Sequence, residues 1–117
     1  DEVSKCVMGF MIEKAAAVEN IEEICQVEGV DFIQFGPADF SMNSGFNSKE
    51  EKERVREAEE KVIRTALKYG VSPRVELNDA KRYIDLGVTH FALGSELRIE
   101  KVYWTDEGHE LRSMMEK

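Results

Sequence analysis

Two acidic residues, Glu13 and Asp39, stand just after apolar stretches of the sequence and are its first candidates for chemistry. Glu13 closes the apolar run 6–12, and Asp39 follows the run 30–35 after a short turn. In parallel α/β architectures, the ends of such strands carry the active site. Two carboxylates meeting there suit a hard cation such as Mg²⁺, which takes one or two protein carboxylates beside water and substrate oxygens. Surface solvation is the alternative role, because the chain has 24 acidic residues.

The turn between the second run and Asp39 predicts a second kind of site. Gly36 and Pro37 make a tight exit from a strand, and the backbone N–H groups of Ala38 and Asp39 can then point into a pocket. Successive N–H groups of this kind bind anions such as carboxylates. An ordinary strand-ending turn with Asp39 as a helix N-cap fits the same residues. Turn chemistry alone leaves both interpretations open.

The elements that position these residues alternate between strand-like and helix-like runs. Apolar runs 6–12, 30–35, 71–75 and 88–93 predict four strands, and the continuous hydrophobicity of the first predicts burial on both faces. Amphipathic segments follow each of them. Such alternation indicates parallel strands with right-handed crossovers. Half of an eight-fold βα barrel and a small doubly wound sheet both fit, and a full barrel needs about 250 residues.

Helix signals between the strands are unequal. The first helix carries the stripe Val18, Ile21, Ile24 and Cys25. Segment 41–47 is rich in turn formers and predicts a loop. A capping box of Ser48 and Glu51 then opens the clearest helix, whose apolar stripe is Val55, Ala58, Val62, Ala66 and Leu67. Asn78 or Asp79 is predicted to cap a short helix, and 95–117 to form two helical pieces with Thr105 capping the second.

Composition narrows the class of protein. The net charge of −8 disfavours binding to phosphate backbones, so we expect no nucleic-acid partner. No apolar run approaches the roughly 18 residues that span a membrane. Cys6 and Cys25 are too few for a disulfide framework and predict buried reduced thiols, which favours a cytoplasmic location. Because the chain begins at Asp1, we expect it to be cut or processed from something longer.

Segments 11–24, 27–31 and 36–41 together resemble the HpcH/HpaI family of class II pyruvate aldolases. That family shows a strand ending in a metal-binding Glu, then the motif VEG(V/I)D, then GPADLS with a second metal-binding Asp. Here Asp39 follows Glu13 by 26 positions, as in the family pattern. Segment 87–95 is similar to the family's last barrel strand, and the residues after it are similar to its C-terminal helix.

The resemblance implies that residues 1–117 are a single C-terminal region of a TIM barrel, strands five to eight, with a helical extension. It implies a divalent cation, Mg²⁺, Mn²⁺ or Co²⁺, held by Glu13 and Asp39. A pyruvate-like oxoacid would bind at Gly36, Pro37, Ala38 and Asp39. The reaction would be cleavage or formation of 4-hydroxy-2-oxoacids, with the metal as Lewis acid for the enolate. The family's catalytic His and Arg come from the first half of the barrel, so the catalytic residues of this chain are unknown.

Other interpretations remain beside this one. The chain could be a non-catalytic half-barrel for binding or assembly, or a citrate- or malyl-CoA-lyase-like enzyme, although the motif at 36–39 argues against the latter. An exposed half-barrel edge predicts pairing with the N-terminal half or with another copy, giving a homo-oligomer. A receiver-like domain fits poorly, because the third strand ends in Arg74 and Glu76.

Several further residues have a plain structural role as their first interpretation. His90 lies within a predicted strand and His109 in a charged terminal helix, which favour a packed and a solvated histidine respectively. Arg74 or Glu76 could face the pocket, with a salt bridge between neighbours as the simpler alternative. The terminal stripe of Leu111, Met114 and Met115 could bind a partner.

Overall fold

A computed structural model of the chain describes residue 2 and residues 5–45 and 49–116. The strands are β1 (Gly9–Ile12), β2 (Phe32–Phe35), β3 (Ser72–Glu76) and β4 (His90–Ala92). The helices are α1 (Ala15–Glu19), α2 (Ile21–Cys25), α3 (Pro37–Ser44), α4 (Lys49–Lys68), α5 (Ala80–Leu86) and α6 (Glu96–Met115). The predicted alternation of four strands with helical segments is confirmed.

The strands form one parallel sheet in the order β1-β2-β3-β4. Each strand therefore pairs with its neighbour in sequence, and right-handed crossovers place all connecting helices on the same face of the sheet. A doubly wound sheet reverses its strand order part-way and puts helices on both faces. The sequential order of the described strands excludes the doubly wound and receiver-like alternatives.

One face of the sheet packs against the helices and forms the core. Alternate strand residues point toward it, and they are buried: Ile12, Ile33, Phe35 and Val75. The helical stripes predicted from the sequence complete this core through Val18, Ile21, Cys25, Val62 and Ala66. Ile63 is also buried, with Val75, Tyr83 and Val88, whereas Leu67 is more than one third exposed.

The prediction that the first strand is buried on both faces is wrong. Phe10 and Met11 are 44% and 51% exposed, while Ile12 is 2% exposed. The predicted buried position of Cys6 is also wrong, because that thiol is exposed, whereas Cys25 is buried as expected. Met11 is level with Gln34 on the face that the helices leave uncovered, which accounts for its exposure. Phe10 is level with Ile33 on the covered face, near the start of β1, and Cys6 precedes that strand.

The predicted loop at 41–47 is wrong for its described part, because α3 continues to Ser44. The Ser41 hydroxyl donates to the Pro37 carbonyl at 2.7 Å, which satisfies it inside the helix. Asn43 accepts the Ala15 N–H through its side chain at 3.2 Å, a contact between distant segments. Gly45, with φ of 70°, ends the helix in the left-handed conformation that glycine tolerates. Ser48 and its predicted cap lie outside the described residues.

The other predicted caps also differ in the structure. Asp79 stands at the N-cap position of α5 but makes no side-chain cap hydrogen bond, and its carboxylate lies 3.9 Å from Arg56. The two predicted terminal pieces are one continuous helix, α6. Thr105 does not cap within it, because its hydroxyl donates to the Lys101 carbonyl at 2.7 Å.

Helix α6 extends away from the rest of the chain. None of its residues is buried. The radius of gyration is 18.6 Å, whereas a compact domain of this length has about 13 Å. Within the described residues, no helix combines the length and the apolar character that crossing a membrane requires.

Candidate functional site at the carboxyl end of the sheet

Glu13 follows the last residue of β1 and lies over the end of β2. A Cβ atom on Gly36 would sit 2.8 Å from Glu13 Cγ and 3.2 Å from its Oε1. The Gly36 N–H donates to the Ile12 carbonyl at 3.0 Å, which fixes the two strand ends side by side. The absence of a side chain at Gly36 therefore lets the half-buried Glu13 carboxylate reach across the neighbouring strand.

Asp39 lies in the first turn of α3, directly after β2. Gly36 is the N-cap and Pro37 the first helical residue, so the alternative that Asp39 is the N-cap is wrong. The first intrahelical bond runs from the Phe40 N–H to the Gly36 carbonyl at 2.9 Å. Helix geometry leaves the N–H groups of Ala38 and Asp39 without an intrahelical acceptor, and the helix dipole favours an anion there. Both amides are thus suited to a substrate carboxylate.

Packing holds α3 in place under these groups. Phe40 is 6% exposed, and its ring lies 5.1 Å from that of Phe35, centroid to centroid. Asn43 adds the hydrogen bond to Ala15, which ties α3 to the start of α1. Asp39 directly precedes the buried Phe40, so packing of this neighbour sets the position of Asp39.

The donors present suit a hard cation with few protein ligands. Across residues 5–45 and 49–116, no three His, Cys, Asp or Glu side chains lie close enough together to hold a metal. Zinc sites need three or four such ligands, whereas Mg²⁺ often uses one or two carboxylates. Glu13 and Asp39, on adjacent strand ends, fit the second pattern.

The uncovered face of the sheet carries a row of polar residues whose connection no sequence pattern indicates. Gln34 is beside Met11 in the register, and Arg74 is beside His90. Arg74 Nη1 donates to Gln34 Oε1 at 2.8 Å, and Gln34 Nε2 donates to Glu76 Oε1 at 3.3 Å. The Gln34 amide thus lies between the two charges, where a direct salt bridge was the simpler expectation.

The two histidines have different surroundings. His90 makes an edge-to-face contact with Phe32 at 5.7 Å, which agrees with a packing role, although its side chain is exposed. His109 is exposed on α6, as expected for a solvated residue.

A second polar cluster lies on the covered side, between α4 and α5. Glu59 accepts from Arg82 Nη1 at 2.9 Å and from the Tyr83 hydroxyl at 2.8 Å. Burial, followed by the hydrogen bond to Glu59, raises the pKa of Tyr83 to about 12. These side chains join α4 to α5.

Comparison with known proteins decides the family. The sequence model of the HpcH/HpaI aldolase/citrate lyase family matches residues 2–99. The chain belongs to this family. It is 33% identical over 102 residues to a hydroxypyruvate/pyruvate aldolase of Cupriavidus necator, covering 85% of this chain and 37% of that protein.

Two further HpcH/HpaI relatives agree. The 4-hydroxy-2-oxo-heptane-1,7-dioate aldolase of Escherichia coli is 35% identical over 92 residues, covering 76% of this chain and 35% of that protein. The crystal structure of an HpcH/HpaI aldolase from Desulfitobacterium hafniense superposes with a TM-score of 0.73 at 28% identity, covering 91% of this chain and 42% of that one. This chain therefore spans about a third of the length of the curated relatives it matches.

Proposed function

We propose that this chain is the C-terminal half of a divalent-metal-dependent aldolase that cleaves or forms 4-hydroxy-2-oxoacids, giving pyruvate and an aldehyde. The observation that carries the proposal is the Glu13 carboxylate lying over Gly36, at the strand end from which α3 brings Asp39. Aldolases among the relatives support the reaction class.

Each residue of the motif has a proposed role. Glu13 and Asp39 hold Mg²⁺, Mn²⁺ or Co²⁺, which when bound supplies Lewis-acid stabilisation of the negative charge on the oxoacid. The amides of Ala38 and Asp39 bind the carboxylate of a pyruvate-like oxoacid. Gly36 and Pro37 shape the turn that lets these groups converge. The metal ligands and the two amides together orient the oxoacid, with its carboxylate at the start of α3.

The half-barrel assignment, with residues 1–117 as one region and strands five to eight, rests on two features. The sheet is sequential and parallel with one uncovered face, and the matched relatives are nearly three times as long as the matched region. The family's catalytic His and Arg would then come from outside this chain. We propose that the uncovered face and edges are completed by an N-terminal half or by a second copy.

A reducing, cytoplasmic setting is part of the same proposal. It is supported by the free, buried thiol of Cys25, whose pKa is raised by burial. A buried thiol of this kind is unreactive and needs no disulfide partner.

Calorimetric titration with Mg²⁺, in the presence and absence of oxalate as a pyruvate mimic, tests the proposal. We expect oxalate to strengthen Mg²⁺ binding, because the acid supplies further oxygen ligands. Asp39→Ala should abolish this binding. Asp106→Ala, which removes the same charge from an exposed position on α6, serves as the matched control and should bind as the wild type does.

Absence of Mg²⁺ binding in a demonstrably folded wild-type chain would contradict the proposed half-site. That outcome would favour the alternative, a half-barrel that serves only assembly. An equal loss of Mg²⁺ affinity in Asp39→Ala and Asp106→Ala would show that the ion is held by general charge attraction and not by coordination to Asp39.

A further inference from the structure

The start of the pairing between β1 and β2 is held by a side chain as well as by the backbone. The Met8 N–H donates to the Asp31 carboxylate at 2.7 Å, and the Asp31 N–H donates to the Met8 carbonyl at 2.9 Å. The Asp31 carbonyl also accepts the N–H of Ser72, the first residue of β3, at 3.2 Å. Asp31, which directly precedes β2, therefore connects that strand to both of its neighbours. Because the carboxylate is charged, its bond is stronger than a neutral one.

A second contact depends on the same pairing of strands. Gly9 is level with Phe32, and a Cβ atom on Gly9 would lie 2.1 Å from Phe32 Cζ. Any larger residue at this position would therefore have to displace the ring. The ring also makes an edge-to-face contact with His90 at 5.7 Å, which displacement would disturb. Glycine is thus the residue of β1 that fits opposite Phe32.

The apolar pattern of β1 does not fix its register alone. A shift of one residue would move the buried Ile12 to the uncovered face. A shift of two residues keeps every side chain on its own face, because side chains alternate along a strand. It would place Val7 or Met11 opposite Phe32 and break the side-chain bond to Asp31. These two contacts therefore oppose the shift that the hydrophobic pattern permits.

The register at the start of β1 determines the position of the acid at its end. With Gly9 level with Phe32, Glu13 is level with Gly36, four residues or roughly 13 Å further along. A two-residue shift would move Glu13 by about 7 Å relative to Gly36. Since α3 starts directly after Gly36 and carries Asp39 in its first turn, the shift would separate the two carboxylates.

We propose that Asp31 is a positioning residue, which holds β1 in the register that brings Glu13 over Gly36. Gly9 contributes to the same role, because it leaves room for the Phe32 ring in this register. Asp31 does not contact the metal or the oxoacid and acts through Glu13. The inference deepens the proposed function and rests on it for the metal-binding role of Glu13, whereas the effect of Asp31 on the register is independent of that function.

NMR of the full chain without metal tests the register. Exchange of the Met8 amide proton should be slow in the wild type and at least about tenfold faster in Asp31→Ala, as for the loss of a hydrogen bond to a charged group. Nuclear Overhauser contacts between the Glu13 side chain and the Gly36 α protons should weaken in the same variant. This second signal lies at the far end of the strand, so a purely local role of Asp31 would not change it.

Two matched variants separate the hydrogen bond from the charge. Asp31→Asn keeps an acceptor oxygen for the Met8 N–H and should retain both signals. Glu28→Ala removes a negative charge from a nearby exposed position and should behave as the wild type does. Glu13–Gly36 contacts that persist unchanged in Asp31→Ala would overturn the inference, as would their equal loss in Glu28→Ala.

Gly9→Ala carries the test if Asp31→Ala does not fold. Its new Cβ would meet the Phe32 ring, so we expect the same weakening of the Glu13–Gly36 contacts. Gly108→Ala, which meets no such obstruction, is the control. Unchanged contacts in Gly9→Ala would then reject the proposed role of the register.

Calorimetric titration with Mg²⁺ measures the effect on the proposed metal site. Asp31→Ala should weaken Mg²⁺ binding by about tenfold, as for residues that hold a metal ligand in place, and Asp31→Asn should restore most of the affinity. Val88→Ala removes a buried side chain from the β4 side of the sheet and controls for lost stability, so its Mg²⁺ affinity should be unchanged. Equal weakening in Val88→Ala and Asp31→Ala would overturn the positioning role.

The two sets of measurements keep the proposals distinguishable. If the wild type binds no Mg²⁺, the proposed metal site fails, and the metal-free signals of Met8 and Glu13 still decide whether Asp31 sets the register. If the wild type binds Mg²⁺ and Asp31→Ala binds it equally well, the metal site stands and the positioning role of Asp31 is rejected.

Discussion

The two faces of the same sheet differ in the burial and polarity of their residues. The covered face presents Ile33 and Val75, which are 0% and 6% exposed. The uncovered face presents Gln34 and Arg74, one position away on the same two strands, joined by a hydrogen bond. A single step along each strand thus separates residues that stabilise the fold from residues available to a ligand.

The sharpest test of this contrast replaces one residue on each face. Ile33→Ala should lower the free energy of unfolding by about 2–5 kcal/mol, because Ile33 is fully buried and its loss leaves a cavity. Met11→Ala, on the other face, should cost less than about 1 kcal/mol, because that side chain is half exposed. Urea unfolding followed by circular dichroism measures both. Similar losses would mean that the second face is also packed in solution.

On the covered side, the buried Tyr83 predicts how the stability of the fold depends on pH. The folded-state pKa of Tyr83, about 12, exceeds the ordinary value of 10.0 because of burial and the hydrogen bond to Glu59. Between these values the unfolded chain loses the phenol proton first, so stability should fall as pH rises from about 10 to 12. The difference of two pKa units corresponds to a loss of about 2–3 kcal/mol in the free energy of unfolding.

Tyr83→Phe provides the control for that pH dependence. It removes the titrating group and should flatten the decline in this window, although it also removes the bond to Glu59 and lowers stability at neutral pH. An unchanged slope in Tyr83→Phe would assign the decline to other groups, lysines included.

The uncovered side predicts a smaller effect on binding. Gly36→Ala should weaken Mg²⁺ affinity by about tenfold, because the new Cβ would meet Glu13 Cγ at 2.8 Å and displace the carboxylate. Gly36 has a φ of −104°, which alanine adopts without strain, so the effect is steric. Gly108→Ala, in α6, has no comparable obstruction and is the matched control. Unchanged affinity in Gly36→Ala would remove Glu13 from the proposed ligand set.

The features that depend on local pattern could be predicted from the sequence. The strand and helix order, the stripe of Val62 and Ala66, and the placement of Glu13 and Asp39 next to strand ends all follow from periodicity and turn residues. The features that could not be predicted depend on contacts between distant residues. The partners Arg74 and Gln34 are 40 positions apart, and no local signal joins them.

Two wrong predictions came from residues with more than one possible hydrogen bond. Thr105 and Ser41 have hydroxyls that can cap a helix start or bond to a carbonyl four residues earlier, and the sequence does not distinguish these. Both bond backward inside helices. Burial of the first strand was overestimated for another reason. An apolar sequence indicates that a strand can be covered on both faces, but it does not indicate whether the covering residues belong to the same chain.

The sequential strand order has a consequence for how the chain reaches its structure. Every strand pairing joins segments that are adjacent along the chain, with no later strand inserted between earlier ones. Loop-closure entropy is therefore paid one crossover at a time, over separations of 23, 40 and 16 residues, and the contact order is lower than in a sheet whose strands pair out of sequence. Each βα unit adds to the edge formed by the unit before it, and among the described residues the outer edges of β1 and β4 stay open to pairing with further strands.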